Sequence, residues 1–204
     1  MKIAIHIPRA WRTAALTLLL LPGAAAAHTV RYEATLTGAQ QNPAVATGAS
    51  GVATLELNAA HDTLSMFVSI HGLDFVGATP DPDDDVLAMH IHRGAPGSNG
   101  PVVFGLIGPN HDVDGDLATL FDSAGLGGAL SSAWDGSEGN NTTLADELAN
   151  LAGGLLYFNV HTPGNPGGEI RGQIVAASPV PLPPAAWLLG GVLGGGLLRQ
   201  RRAR

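Results

Sequence analysis

Cysteine is absent from all 204 residues. That excludes thiol catalysis, disulfide exchange and thiolate zinc sites, and leaves stability to a packed core with or without the help of a metal. Positive charge is nearly absent from the middle of the chain. Of ten basic residues, Lys2, Arg9 and Arg12 lie at the start and Arg199, Arg201, Arg202 and Arg204 at the end. Residues 28–178 keep only Arg31, Arg93 and Arg171 against all 17 carboxylates, a formal charge of −14 where the whole chain has −7. Such a domain repels nucleic acid phosphates and anionic lipid headgroups. It favours solubility and cation uptake, and solubility alone is a sufficient reason for the acid residues. No nucleotide-binding glycine motif, no Gly-x-Ser-x-Gly elbow and no Ser/His/Asp arrangement occurs, so hydrolysis is not supported. Nor is there a solenoid-type repeat.

The two ends are addresses. Residues 1–27 have the three parts of a secretory signal peptide: the basic start, the apolar run Ala14 to Leu21, and the small residues Ala24 to Ala27. That apolar run is shorter than the about 20 residues a spanning helix needs. Cleavage after Ala27 leaves His28 as the mature N-terminus. Residues 179–204 hold a Pro-rich break, an apolar stretch from about Ala185 to Leu198 and four terminal arginines that keep the tail cytoplasmic. This segment resembles the PEP-CTERM class of bacterial sorting tails, in the variant beginning with Val180, Pro181, Leu182 and Pro183. Pro184 departs from the small residue usual there. The resemblance implies an exosortase-type processing enzyme as partner, and a chain that is exported, held transiently at the inner membrane by its unprocessed tail, then released to the cell surface or outside. An ordinary C-terminal membrane anchor is the alternative.

Between the ends lies one domain's length of chain. Val30, Tyr32, Ala34 and Leu36 alternate with Arg31, Glu33, Thr35 and Thr37, the period-2 signature of a half-buried strand. Gly51 to Leu57 and Thr63 to Ile70 repeat it around a hairpin loop, Asn58 to Asp62. A strand carrying His90 and His92 follows, then one at Val102 to Ile107. From Gly108 to Gly139 the pattern dissolves into Gly, Asp and Ser, which predicts a variable loop with one or two short strands. Thr143 and Asp146 form a capping-box pattern, with Leu144, Leu148 and Leu151 at helical spacing and Gly153 and Gly154 as a stop. Two strands close the domain, Leu155 to His161 and Glu169 to Val175. Many short strands with one short helix predict an all-β, antiparallel, Greek-key-like β-sandwich.

Strand alternation puts His90 and His92 on one face, turned away from the core, with Met89 and Ile91 opposite. It likewise groups Tyr157, Asn159 and His161, and presents Glu169, Arg171 and Gln173 from the hairpin partner. A His-x-His pair on a strand is a chelating geometry, which His161 from another strand completes as a copper or zinc site. The same histidines equally suit hydrogen bonds to loop backbones, or a solvent-facing role. His61, His71 and His111 are isolated. The Asp112 to Asp116 segment is not an EF-hand, since Leu117 stands where Gly is needed and Ser123 where the bidentate Glu belongs. It and Asp83, Asp84 and Asp85 read as solvated acidic loops, with a weak calcium site as the alternative.

The series Thr35 to Leu57, then His90-Ile-His92 with its Gly/Pro turn, then Tyr157 to Thr162, then Gly168-Glu-Ile-Arg-Gly-Gln173, resembles the CHRD domain of bacterial secreted proteins and of animal chordin. The resemblance covers nearly all of residues 28–177. It implies a β-sandwich without established catalysis, and matches His90, His92 and His161 to family histidines and Glu169 and Arg171 to its Gly-Glu-Ile-Arg-Gly motif. The lengthened segment from Gly108 to about Ser131 is the departure. The order His90, His92, His161, Arg171 is also similar to the copper-site residues of copper/zinc superoxide dismutases, though their cysteine pair and zinc loop are missing. The leading expectation is a noncatalytic module of the bacterial envelope or matrix, associated with exopolysaccharide or surface proteins and not with nucleic acid. The alternative is a copper or zinc metalloprotein.

Overall fold

The computed structural model describes residues 28–108, 114–136 and 138–178. The predicted signal peptide at 1–27, the predicted sorting helix at 179–204 with Val180, Pro181, Leu182 and Pro183, and His111 lie outside the described residues. Alternation in sequence becomes alternation in burial. In β1 (Val30–Thr37) Tyr32, Ala34 and Leu36 are buried while Arg31, Glu33 and Thr35 are exposed. β2 (Ser50–Leu57) and β3 (Thr63–His71) continue the meander, with Ala34, Ala53 and Val68 in one inward row. Their turn is closed by the Asn58 side chain, whose Oδ1 accepts from the Asp62 N–H at 3.1 Å, and His61 takes a φ of 60° within it.

β4 (Ala88–Arg93) pairs with β5 (Val102–Ile107), β6 (Ala118–Phe121) with β7 (Gly127–Asp135), and β8 (Leu156–His161) with β9 (Ile170–Gln173). Pairings between β3 and β7, β4 and β8, and β1 and β9 join these units into one sheet in the order β5-β4-β8-β9-β1-β2-β3-β7-β6. All these pairings are antiparallel. The closing strand expected from Glu169 to Val175 breaks at Ile174, whose N–H donates to Leu156, and resumes as β10 (Val175–Ala176) along β1.

The layers of the fold are two halves of a single rolled sheet. Phe104 of β5 stacks on Trp134 of β7 at 5.1 Å between centroids, although six strands separate them in the order. Strand twist accumulated over so many strands brings the ends face to face, making a curled half-barrel with the apolar core inside. Leu36, Leu64, Ile70, Met89, Ile91, Leu106, Phe158 and Ile170 fill it.

β7 is longer than the short strands expected between Gly108 and Gly139: it spans nine residues and pairs with β3 along its whole length. Its sequence hides it. Gly127, Gly128, Ala129, Ser131, Ser132 and Ala133 carry little hydrophobic contrast, and only Leu130 and Trp134 mark the inward face with large side chains.

The helix α1 (Leu144–Ala152) has the expected capping box: the Thr143 side chain accepts from the Asp146 N–H, and Asp146 accepts from the Thr143 N–H. Leu144 and Leu151 enter the core. At the other end the Leu155 N–H reaches Asn150 O at 2.8 Å and the Gly154 N–H reaches Leu151 O at 3.1 Å. These two bonds make a Schellman close that needs left-handed backbone, and Gly154 has a φ of 66°. Fully buried Glu147 ties the helix to β4 through Arg93 at 2.9 Å, with Thr142 and Asn150 filling its remaining acceptor sites. A Cβ at Gly154 meets nothing closer than 3.7 Å, so its cost is conformational. Gly154→Ala is expected to lower stability by about 1 kcal/mol, read as a lower urea midpoint at unchanged slope.

Candidate metal centre

β4, β8 and β9 lie side by side, and their registers align polar residues across all three. His92 faces Tyr157, which faces Gln173; His90 faces Asn159, which faces Arg171; His161 faces Ala88. This face is opposite the apolar core, as alternation requires, yet it is not exposed: His90 is 7% and His92 8% accessible. Of the two non-metal roles that suited these histidines, bonding to loop backbones or facing solvent, two loops exclude the second. Loop 41–48 and loop 94–101 close over the strands and bond to each other, Asn42 Nδ2 donating to Gly97 O and Asn99 Nδ2 to Asn42 O, both at 2.7 Å. Gln41 Nε2 donates to Asn159 Oδ1 at 2.7 Å below them.

The three predicted histidines converge. Ring centroids are 5.7 Å apart for His90 and His92, 5.3 Å for His90 and His161, and 5.6 Å for His92 and His161. Each ring offers one nitrogen, and these nitrogens lie within 4.8 Å of one another. The two Gly/Pro turns fix the tautomers. His92 Nδ1 donates to Gly100 O at 2.9 Å and His161 Nδ1 to Pro166 O at 3.0 Å. With the proton on Nδ1, each Nε2 presents a lone pair, and both Nε2 atoms are buried without a hydrogen-bond partner. Leaving such an acceptor unsatisfied costs about 1–3 kcal/mol.

The polar residues around them hold the frame. Glu169 Oε1 accepts from Thr47 and Oε2 from Thr162, each at 2.7 Å, so both carboxylate oxygens are engaged with hydroxyls. Asn159 bridges Gln41 and Gly167 O. Arg171 is 1% exposed and forms no ion pair among the described residues. It donates to Ala95 O at 2.9 Å, Ser98 O at 3.0 Å and Gln173 Oε1 at 3.1 Å, and its Cζ sits 3.5 Å from the centroid of the Tyr157 ring. Tyr157 in turn stacks on His92 at 5.1 Å and 18°, and its hydroxyl accepts from the Gly100 N–H at 3.1 Å.

Burial lowers the His92 pKa to about 4. The neighbouring imidazoles and the Arg171 charge push it the same way, and the bond to Gly100 opposes them. Burial lowers His161 too, against the bond to Pro166. Both rings are therefore neutral at pH 7, the state a metal ligand requires. His61 and His71 are exposed, as isolated histidines should be. Of the acidic residues, Asp74 is buried and accepts from the amides of Thr79, Val76 and Gly77, with the Thr79 bond foremost in holding its carboxyl below the usual range. It braces its loop, with Asp84 and Asp85 nearby.

The histidine positions, the glycine turns and the Gly-Glu-Ile-Arg-Gly strand now stand together in one structure, and a family model agrees. The CHRD domain model matches residues 32–174. The chain belongs to the CHRD domain family. No curated protein and no solved structure matches it. In this CHRD domain the hydrogen bonds to loop backbones that suited these histidines run to the carbonyls of Gly100 and Pro166, in the Gly/Pro turn that follows each histidine strand. The partners that sequence reasoning missed are Gln41, Thr47 and Thr162.

The depressed His92 pKa sets a sign for acid behaviour. As pH falls below 6.5 the unfolded chain takes a proton that the folded domain refuses until about pH 4, so stability present above 6.5 is lost on acidification. Between pH 6.5 and 5, where most carboxylates stay ionised, the metal-free CHRD domain is expected to lose roughly 2 kcal/mol from His92. Urea midpoints measured across that range should fall, and fall less in His92→Gln.

Proposed function

We propose that this CHRD domain is a noncatalytic metal-binding module that takes one copper or zinc ion at His90, His92 and His161. The observation that carries the reading is the pair of buried Nε2 acceptors on His92 and His161, each aimed by a backbone bond to its Nδ1, beside His90 with ring nitrogens within 4.8 Å. A metal-bound histidine characteristically donates its other N–H to a carbonyl or carboxylate. Bonds of about 2.0–2.1 Å to a shared ion would draw the nitrogens together by a small contraction. Three imidazoles without thiolate suit copper and zinc alike. Dismutation is not proposed, because the cysteine pair of the similar dismutases has no counterpart in a chain with no cysteine.

The setting we infer is the bacterial envelope or matrix. The signal-like residues 1–27 support export, and the Val180-Pro-Leu-Pro183 tail supports processing by an exosortase-type enzyme. The charge of −14 over residues 28–178 favours drawing cations toward the domain from dilute solution.

Full-length protein purified without chelator should carry near-stoichiometric copper or zinc, and the His90→Ala, His92→Ala, His161→Ala variant should carry none, by elemental analysis. Added back to stripped protein at about a hundred times its Kd, the ion should raise stability by roughly 2.7 kcal/mol. Protein that is metal-free as isolated and takes up neither ion on titration would sink the reading.

A further inference from the structure

The outer face of β1, β2, β3, β7 and β6 is free of charge over most of its width, in a domain with 17 carboxylates. Register sets its rows. Thr35, Val52, Ser69, Ala129 and Leu120 line up across the five strands, and the next row runs through Glu33, Thr54, Phe67, Ser131 and Ala118. Val52 is 55% exposed, Phe67 52% and Leu120 77%. Phe67 is the one exposed aromatic side chain among the described residues. A groove of about 470 Å³ crosses this face between Phe67 and Arg31, with Thr54 and Ser65 along it. The Arg31–Glu56 ion pair, at 3.0 Å, neutralises two of the three charged side chains that line it, leaving Glu33.

We propose that this groove binds a neutral polysaccharide. A sugar ring presents C–H groups on its face and hydroxyls at its edge. The exposed Phe67 ring matches the first, while the hydroxyls of Thr54 and Ser65 and the Glu33 carboxylate match the second. An open groove on a sheet face accepts a chain that continues past both ends. Charge selects the class: the domain's net charge repels a polyanion, whereas a neutral polymer meets no such barrier. A second copy of this chain fits less well. Protein interfaces are enriched in aromatic residues, Met and Arg and depleted in Ser and Ala, and this face is mostly Thr, Ser and Ala around one aromatic ring. Two strongly acidic copies also repel each other. The site lies on β1 to β3, apart from the histidines of β4 and β8, and is independent of the metal.

The test is affinity electrophoresis of the detergent-solubilised full chain in native gels cast with hydroxyethylcellulose, dextran or a neutral galactomannan, with alginate as the polyanion control. At least one neutral polymer should retard the protein and alginate should not. Phe67→Ala and Ser65→Glu alter only outward-facing side chains that line the groove, and each should weaken retardation at least tenfold, while the triple histidine variant behaves as wild type. Absence of retardation by all three neutral polymers overturns the proposal. So does equal retardation of both surface variants, which places the polymer elsewhere. Concentration-dependent dimers in light scattering, abolished by Ser65→Glu, would assign the face to a second copy and overturn it too.

Discussion

Arg171 is almost wholly buried, and its charge is met by carbonyl dipoles and a ring face instead of a carboxylate. A guanidinium removed from water is tolerable only when its donors are bonded, so the loop carrying Ala95 and Ser98 must fold back onto the sheet to supply them. Once that loop is down, its Gly100 serves two further groups, the carbonyl meeting His92 and the N–H meeting Tyr157. The path is tight enough to dictate sequence. A Cβ at Gly100 would sit 1.7 Å from the Arg93 carbonyl oxygen, which no rearrangement of side chains could relieve. The cation, the loop and the imidazole orientation are one construction, and the glycines between His92 and Pro101 are its condition.

This construction divides the rolled sheet into two kinds of strand. β1 to β3 bury one face and show the other, whereas β4 and β8 are buried on both. In β4 the Met89 and Ile91 side enters hydrocarbon, and the His90 and His92 side enters a layer of amide, hydroxyl, imidazole and guanidinium groups under the loops. Each bond in such a layer adds only modest net stability, because folding exchanges bonds to water for bonds within the protein, but the layer holds ring nitrogens in fixed directions, which a solvent-exposed strand could not do.

The parts of this arrangement that periodicity encodes were legible in the sequence. Alternation located β1, β2 and β3 to within a residue or so, the Thr143 and Asp146 pair located the helix start, and the glycines at 153 and 154 its end. The histidine trio was legible because two strands each placed imidazoles on one side just before a Gly/Pro turn. β7 was not, since glycine, alanine and serine give no contrast between faces, and its placement is dictated by β3 beside it. The burial of the histidine face was only half legible: the Gly/Pro turns suited backbone bonds to the imidazoles, but nothing in the strands chose between such a cover and open solvent. Gln41 and Thr47 join the site from more than a hundred residues away, a distance no local pattern spans.

The order of strands also says something about time. β1 lies at the middle of the sheet, and its partners on one side are β2 and on the other β9 and β10, the last strands of the domain. The first strand among the described residues therefore waits for the last, because until residue 176 is available one edge of β1 has no neighbour and the roll cannot close. Closing a loop of that length is slow compared with forming hairpins. The β1-β2-β3 meander pairs strands close in sequence, whereas the other edge of β1 is completed by residues at the far end of the domain, so the sheet's middle joins its two most distant segments.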